Sequence, residues 1–177
     1  MSLIDIIQQY KNGDKRSAKD LYLHSYKWLF ATALRYIPDE SMAKDALQNT
    51  FIKIYQNIDG IQLESDAMIA AWMRKVCVNE ALGLIRKKKN WDKLQIQHEA
   101  EAFMPSYEFE DKELYMLLFK LPEKHRLCFS LYAIEGYSHK EISEKLDIKE
   151  SYSRTLVLRA RQMLTTLIPK EKINEAS

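Results

Sequence analysis

The chain has little of what β-strands, tight turns and membrane segments require. Its 177 residues include only four Gly and four Pro, and no stretch alternates apolar and polar residues for any length. Because half-buried strands depend on that alternation, its absence predicts an all-α protein. No run approaches the ~18 consecutive apolar residues of a membrane helix. The N-terminal segment also lacks the charged-then-apolar form of a secretory signal, so we expect a cytoplasmic protein without membrane insertion.

The chain also has few residues that carry enzyme or metal chemistry. Cys77 and Cys128 lie far apart within apolar helical patterns, which favours two small buried side chains over a disulfide. The four histidines have no ligand spacing with Cys or with paired acids, and the sequence contains no Gly-rich phosphate loop and no nucleophile elbow. We therefore expect no catalytic activity and no cofactor.

Charge is distributed unevenly although the net charge is only +2. The stretch from Arg74 to Lys93 contains seven basic residues and two acidic ones, whereas the stretch from Glu99 to Glu113 contains six acidic residues and one Lys. The acidic segment has no clean helical period and contains Pro105, so it is typical of a linker. The predicted organisation is a first domain over residues 1–89, an acidic linker over 90–111 and a second domain over 112–177.

Helical periodicity and the Gly and Pro breaks predict four helices in each domain. In the first domain they are expected near residues 2–11, 14–36, 39–57 and 66–88. In the second they are expected at Lys112–Lys120, Glu123–Glu135, His139–Leu146 and Glu150–Leu167.

The last two of these helices have the pattern of a helix-turn-helix. Ser138 and Glu141 have the spacing of a capping box, which predicts a helix beginning at that point. Asp147 follows where the chain must turn, and Glu150 opens the next helix. A short capped helix, a tight turn and a longer helix are typical of a DNA-binding motif in which the second helix enters the major groove.

The second helix of this motif is the candidate DNA reader. At about 100° per residue its apolar positions fall within a sector of roughly 120°, which leaves a mostly polar opposite face. Arg side chains on such a face can clamp phosphates or pair with guanine edges. The alternative is a helical hairpin on a solvated bundle, against which the charge bias argues. The candidate DNA-binding residues here are Ser151, Arg154, Thr155, Leu158, Arg159 and Arg161.

An exposed apolar residue stands out on the helix near residues 39–57. Ile52 falls almost opposite the apolar stripe and is surrounded by Asp45, Gln48 and Asn49. An apolar centre with a polar rim is typical of a protein docking patch. A lone surface Ile without a role is the alternative.

The helix before the linker combines an aromatic residue with cations. Trp72 beside Arg74 and Lys75 offers the groups that hold unstacked bases and their backbone. Asn79 could hydrogen-bond a base edge, or it could hold two helices together. The run from Arg86 to Lys89 could contact phosphates, or it could be an ordinary helix end, where the dipole favours cations.

Taken in order, these segments resemble the extracytoplasmic-function (ECF) group of the sigma-70 family, the promoter-recognition subunits of bacterial RNA polymerase. The stretch from Asp45 to Lys53 is similar to the core-binding signature of that group. The stretch from Ala71 to Asn79, followed by Ile85 to Lys87, resembles its helix for the −10 element. Three stretches of the second domain resemble the fourth conserved region of the family, namely Leu121–Arg126, Glu135–Ile142 and Arg159–Arg161.

The resemblance implies partners and roles, with the enzymatic chemistry left to the polymerase. The expected partners are core RNA polymerase and promoter DNA, and typically an anti-sigma factor. Polymerase binding would fall on Asp45, Gln48, Asn49, Ile52 and Lys53. Capture and melting of the −10 element would fall on the loop near Gly60 to Met68 and on Trp72, Arg74, Lys75, Asn79, Arg86, Lys87, Lys88 and Lys89. The −35 element would be bound as duplex by the second-domain reader named above.

Departures from the family pattern, to which Tyr152 and Leu158 also belong, bear on docking and on promoter choice. Asn49 replaces the usual acid of the docking signature, Gly83 stands where Asp is frequent, and Leu156 is less polar than the common choice. Two other functions remain open: a stand-alone helix-turn-helix regulator, and a sigma-mimicking protein that binds an anti-sigma factor. The Ile52 patch discriminates against the first, and the retained DNA-facing cations argue against the second.

Overall fold

The computed structural model describes residues 1–62, 64–88 and 112–167. These residues fall into two compact units, the first containing 1–62 and 64–88 and the second containing 112–167. Within the described ranges the regular structure is helical and no strand occurs, which confirms the all-α prediction. The predicted linker, residues 90–111, lies outside the described residues, so the domain boundaries stay predictions.

The first unit consists of four α-helices. They are α1 (Leu3–Lys11), α2 (Arg16–Tyr36), α3 (Glu40–Asn57) and α4 (Asp66–Lys88), with a short 3-10 helix at Ile58–Gly60 between α3 and α4. Side-chain caps explain where two of them begin: Ser2 and Asp5 form a capping box, and the Asp39 carboxylate accepts from the Met42 amide at 2.8 Å. The helix positions expected from the sequence are confirmed closely.

All four helices contribute to one apolar core. Helix α2 contacts each of the other three, and α3 also packs along α4. The Cys77 thiol of α4 is buried and donates to the carbonyl oxygen of Leu29 at 3.4 Å. The largest fully buried side chains of this unit are Ile6, Ile7, Leu21, Leu29, Phe30, Leu34, Tyr36, Ile54, Ile58, Ile69, Met73 and Leu82.

The second unit contains α5 (Lys112–Phe119), α6 (Glu123–Phe129), α7 (His139–Leu146) and α8 (Glu150–Leu167). Its core joins α5 and α8 through Leu118, Leu121, Ala160 and Leu164. Burial raises the pKa of the Cys128 thiol to about 12, so this thiol stays protonated. Both cysteines are free and buried in different units, which confirms that interpretation.

One predicted helix differs in form. Instead of a single α-helix over Glu123–Glu135, α6 ends at Phe129 and continues as a π-helical turn over Ser130–Ile134. The Glu135 amide donates to the Ser130 carbonyl five residues back, at 3.1 Å. The wider turn then leads into Gly136, whose φ of +76° is a left-handed conformation that glycine adopts without steric cost.

The helix-turn-helix forms as the sequence predicts. The Glu141 amide donates to the Ser138 hydroxyl oxygen at 3.2 Å, and the Ser138 amide donates to the Glu141 carboxylate at 2.8 Å. Asp147 takes a left-handed φ of +51°, a region that Asp tolerates better than most residues. The Ile148 amide closes the turn onto the Ser143 carbonyl at 3.1 Å.

Candidate nucleic-acid interface and docking patch

Helix α8 has one buried face and one exposed face. The buried stripe is formed by Ser153, Leu156, Val157, Ala160 and Leu164. All six predicted −35 residues are exposed on the other side, namely Ser151, Arg154, Thr155, Leu158, Arg159 and Arg161. Leu158 is 57% exposed in the middle of this face, where an apolar side chain can meet a thymine methyl group. The arrangement is a cationic helix face that lies open to a ligand.

The three arginines of this face differ in their partners. Arg154 forms an ion pair with Glu150 one turn earlier, and the Arg161 guanidinium lies 5.5 Å from the centre of the Tyr132 ring. Arg159 has no ion-pair partner within the part of the chain that the structure describes. An exposed ion pair contributes little stability, so Arg154 can exchange Glu150 for a phosphate at small cost. Arg159 would bind a phosphate without giving up an ion pair within the described residues.

A stacked pair of a tyrosine and a histidine lies next to α8 and contacts it. The Tyr132 and His139 rings stack with centroids 4.4 Å apart, and His139 Nδ1 lies 3.1 Å from the Ser153 hydroxyl of α8. Tyr132 and His139 line one groove with Arg154 and Arg161. Sequence reasoning missed both Tyr132 and His139, because no local periodicity relates them to α8.

A second histidine lies close to Arg159. Both ring nitrogens of His125 are buried and have no hydrogen-bond partner among the described residues. Burial lowers the pKa of His125, and the Arg159 cation lowers it further. Burial and the Arg154 cation likewise lower the pKa of His139. Protonation of both histidines is therefore less favourable in the folded second unit than in the unfolded chain.

We expect the stability of the second unit to fall as the pH drops through about 6.5, the ordinary pKa of histidine. The unfolded chain binds its proton at that pH, whereas the folded His125 has a lowered pKa, so protonation favours unfolding. The contribution is fully present above that pH and is lost below it. Hydrogen exchange of α6 and α8 at pH 7.5, 6.5 and 5.5, corrected for the intrinsic rate, measures the change.

A matched pair of variants separates His125 from the other titrating groups. His125→Gln should flatten the pH dependence of that exchange, leaving only the part that His139 contributes. His24→Gln, which changes an exposed histidine of the first unit, should leave it as in the parent chain. An unaltered pH dependence in His125→Gln would contradict the role assigned to this histidine.

The basic residues of α4 lie on more than one face. Lys75, Asn79 and Arg86 are exposed, and at 100° per residue they fall within about 40° of one another. Arg74 does not join them, because its guanidinium lies 5.9 Å from the centre of the Trp28 ring on α2. Trp72 is half-buried. The aromatic ring that the Arg74 guanidinium contacts is that of Trp28, which sequence reasoning missed.

The basic end of α4 is only partly described. Arg86 and Lys87 are exposed, and Lys88 is the last residue of the helix. The side chain of Lys88 and the whole of Lys89 lie outside the described residues. Of the α4 residues predicted to bind the −10 element, the structure therefore describes the side chains of Trp72, Arg74, Lys75, Asn79, Arg86 and Lys87.

The structure brings the predicted docking residues together on α3. Ile52 is 53% exposed, Asp45 and Gln48 are exposed beside it, and Asn49 is half-buried. Lys53 is held differently from the expectation, because its ammonium group forms an ion pair with Glu80 of α4. Its charge is therefore already partly neutralised within the protein.

An aromatic residue of α2 extends this patch. Tyr22 is 40% exposed, and its ring centroid lies 4.8 Å from that of Phe51. Tyr22 and Tyr26 line one pocket with Gln48 and Ile52. Sequence reasoning missed Tyr22, although the spacing of Tyr22, Tyr26 and Phe30 marks an aromatic row along α2. We call the set formed by the exposed Tyr22, Asp45, Gln48 and Ile52 and the half-buried Asn49 the docking patch.

Two further features concern metals and membranes. Among the described residues no group of three or more His, Cys, Asp or Glu side chains is placed to hold a metal ion. Across the same ranges, no helix combines the length and apolarity needed to cross a membrane.

The fold and the exposed cationic faces define an all-α DNA-binding protein of two units. Residues 21–90 match the family model described as Sigma-70 region 2, and residues 111–164 match the one described as Sigma-70, region 4. The chain is 26% identical to the ECF RNA polymerase sigma-E factor of Haemophilus influenzae, over 92% of this chain and 93% of the relative. It is 25% identical to the ECF RNA polymerase sigma factor SigM of Bacillus subtilis, over 94% and 95% respectively.

A solved structure has a similar fold. CnrH, determined in complex with the cytosolic domain of CnrY, is superposed with a TM-score of 0.52 at 21% identity, over 93% of this chain and 95% of that one. The chain belongs to the sigma-70 family, in its extracytoplasmic-function group. Members of this family are not enzymes: they bind core RNA polymerase and direct it to promoters for transcription initiation, and this chain is a sigma factor of that alternative type.

Proposed function

We propose that three separate surfaces divide the work of this sigma factor. The docking patch and Lys53 bind core RNA polymerase. The exposed face of α4, with the connection before it, captures and melts the −10 element. The exposed face of α8 binds the −35 element as duplex. The observation that carries the proposal is that one chain exposes cationic faces on α4 and on α8 and also a patch with an apolar centre on α2 and α3.

The geometry of α8 supports duplex binding. A helix fits the major groove, and the exposed face presents three guanidiniums together with the hydroxyls of Ser151 and Thr155. Arginine can bind guanine with two parallel hydrogen bonds, whereas the hydroxyls suit either bases or phosphates. The acid in the first turn of α8, Glu150, is half-buried and forms an ion pair with Arg154.

The exposed face of α4 suits a strand that has left the duplex. Asn79 is an exposed amide, a type of side chain that can hydrogen-bond a base edge, and Lys75 and Arg86 on the same face are cations suited to the nucleic-acid backbone. The −10 role of this face, and of Lys88 and Lys89 beside it in the sequence, is part of the proposal. We further propose that the protein acts in the cytoplasm, where polymerase and promoter DNA meet.

An anti-sigma factor is the third proposed partner, in addition to polymerase and DNA. The resemblance to the extracytoplasmic-function group implies it, and CnrH is seen bound to the cytosolic domain of another protein. The chemistry of the docking patch suits such a partner, since its apolar centre can be covered by a protein in place of the polymerase.

Run-off transcription with purified core polymerase on genomic promoter fragments tests the proposal. We expect discrete transcripts that depend on the added chain. A chain that binds DNA fragments but starts no transcript would instead be a stand-alone regulator, for which the docking patch has no use. A chain that binds a cognate inhibitor but neither core polymerase nor DNA would be a sigma mimic.

A further inference from the structure

Helix α1 contacts both ends of the connection between α3 and α4. At its C-terminal end the Lys11 ammonium donates to the carbonyl oxygens of Asp59 and Ile61, at 3.0 and 2.9 Å. At its N-terminal end the amides of Leu3 and Ile4 donate to the two carboxylate oxygens of Asp66, each at 3.0 Å. One helix therefore holds the connection where it leaves α3 and where it enters α4.

Both contacts satisfy backbone groups at or just beyond helix ends, where partners within the helix are lacking. Asp59 lies in the 3-10 helix that ends at Gly60, and the last carbonyls of a helix lack intrahelical donors. The first amides of α1 lack acceptors for the same reason. Asp66 is also the first residue of α4, so its carboxylate lies near the N-termini of two helices, where negative charge is favourable. Hydrogen bonds to charged groups are stronger than neutral ones.

Helix α1 is itself held firmly against the unit. Its side chains Leu3, Ile6 and Ile7 are buried, and the Tyr10 ring stacks on Tyr55 of α3 with centroids 5.8 Å apart. A firmly packed helix can transmit its position to a loop that it contacts.

The connection exposes the side that α1 does not contact. Asp59, Gln62 and Glu64 are exposed, and Met68 in the first turn of α4 is 52% exposed. Lys11 and Asp66 are half-buried behind this surface and bind backbone at one end and helix amides at the other. The connection is therefore held from behind at both of its ends, while the exposed side chains that the structure describes remain available to a ligand.

We propose that Lys11 and Asp66 are positioning residues for promoter opening, which hold the α3–α4 connection in the conformation that receives the melted −10 strand. This inference rests on the proposed −10 role of the connection. Neither residue needs to touch DNA, because Lys11 acts through the Asp59 and Ile61 carbonyls and Asp66 acts through α1.

The test compares four variants, three at Lys11 and Lys15 and one at Asp66, in holoenzyme reconstituted with core polymerase. Lys11→Met removes both carbonyl contacts, and Lys15→Met removes one cation from an exposed position four residues later as a matched control. Lys11→Arg restores a cation that can reach the same carbonyls. Opening of the −10 region is followed by 2-aminopurine fluorescence, and affinities for core polymerase and for a −35 duplex are measured beside it.

We expect Lys11→Met to reduce the open-complex equilibrium about tenfold, equivalent to ~1.4 kcal/mol, with both affinities unchanged. Lys11→Arg should recover most of the loss, and Lys15→Met should match the parent chain. Asp66→Asn keeps the size of the side chain and one acceptor oxygen, so it should give a smaller defect of the same kind. Normal opening by Lys11→Met would overturn the inference, as would a parallel loss of core affinity, since that would reveal a general structural defect.

A second measurement distinguishes failure of this inference from failure of the proposed function. In the free chain, Lys11→Met should speed hydrogen exchange at Ile61, whose amide donates to the Ile58 carbonyl at 3.3 Å. Unchanged exchange overturns the holding role even if the promoter assays succeed. If the parent chain opens no promoter while exchange at Ile61 does respond, the proposed function fails, and the role in opening fails with it.

Discussion

Ile52→Asp is expected to reduce the affinity for core polymerase by about a hundredfold, equivalent to ~2.7 kcal/mol. Ile52 is 53% exposed at the centre of the docking patch, and central apolar residues carry much of the energy of an interface. An Asp at that position must lose its hydration when the partner covers it, which costs free energy that the apolar side chain does not lose. Because the side chain faces solvent in the free protein, the fold should remain intact. Co-elution with core polymerase and a titration of binding measure the effect.

The same substitution in the other unit serves as the control. Leu158 is 57% exposed on α8, so Leu158→Asp introduces the same charge at a similar exposure. It should lower affinity for the −35 duplex while core affinity stays normal, and Ile52→Asp should show the reverse. An Ile52→Asp chain that retains full core binding would remove the docking patch from the polymerase interface.

Arg159→Ala is expected to weaken binding of the −35 duplex by roughly 1 to 3 kcal/mol if the guanidinium contacts a base. Arg154 is paired with Glu150, and Arg161 lies over the Tyr132 ring. Among the described residues, Arg159 has no such partner to give up when it binds DNA. Its contribution to binding is therefore not reduced by a lost contact in the free protein. Fluorescence anisotropy with duplex promoter fragments at several salt concentrations measures both the affinity and the salt slope.

Two related variants show what kind of contact Arg159 makes. Arg159→Lys keeps the cation but loses the planar pair of donors. If Arg159 contacts a phosphate, Arg159→Lys should therefore bind the duplex more tightly than Arg159→Ala does, and if Arg159 contacts a base it should bind no better than Arg159→Ala. Arg154→Ala should cost less than Arg159→Ala, because Arg154 must first leave Glu150. Wild-type affinity together with a wild-type salt slope in Arg159→Ala would exclude this residue from the interface.

Much of the fold could be predicted because its signals are local. The capping box at Ser138 and Glu141, the turn at Asp147 and the breaks at Pro38 and Gly136 each act within a few residues of the chain. Helix positions followed from them, and so did the helix-turn-helix. The π-helical turn at Ser130–Ile134 escaped prediction, because an apolar helical pattern does not distinguish one hydrogen-bond register from another.

The candidate sites could be predicted in part. Periodicity placed Ile52 and Arg159 on exposed faces, as the structure has them, since both lie opposite well-defined buried stripes. It did not place Arg74, whose direction depends on Trp28 of another helix. Nor did it reveal the Lys53–Glu80 pair, since nothing in the order of residues says which helices become neighbours.

The amino-acid sequence by itself determined the helices, the helix-turn-helix and the membership of the sigma-70 family, because caps, turns and motifs are properties of adjacent residues. Only the tertiary structure decided which charges are already engaged and which backbone is held from a distance. Lys11 reaches the carbonyl of Asp59 across 48 residues of chain, and Asp66 reaches the amide of Leu3 across 63. Contacts of that kind arise when packed helices bring remote residues together, so no local pattern encodes them.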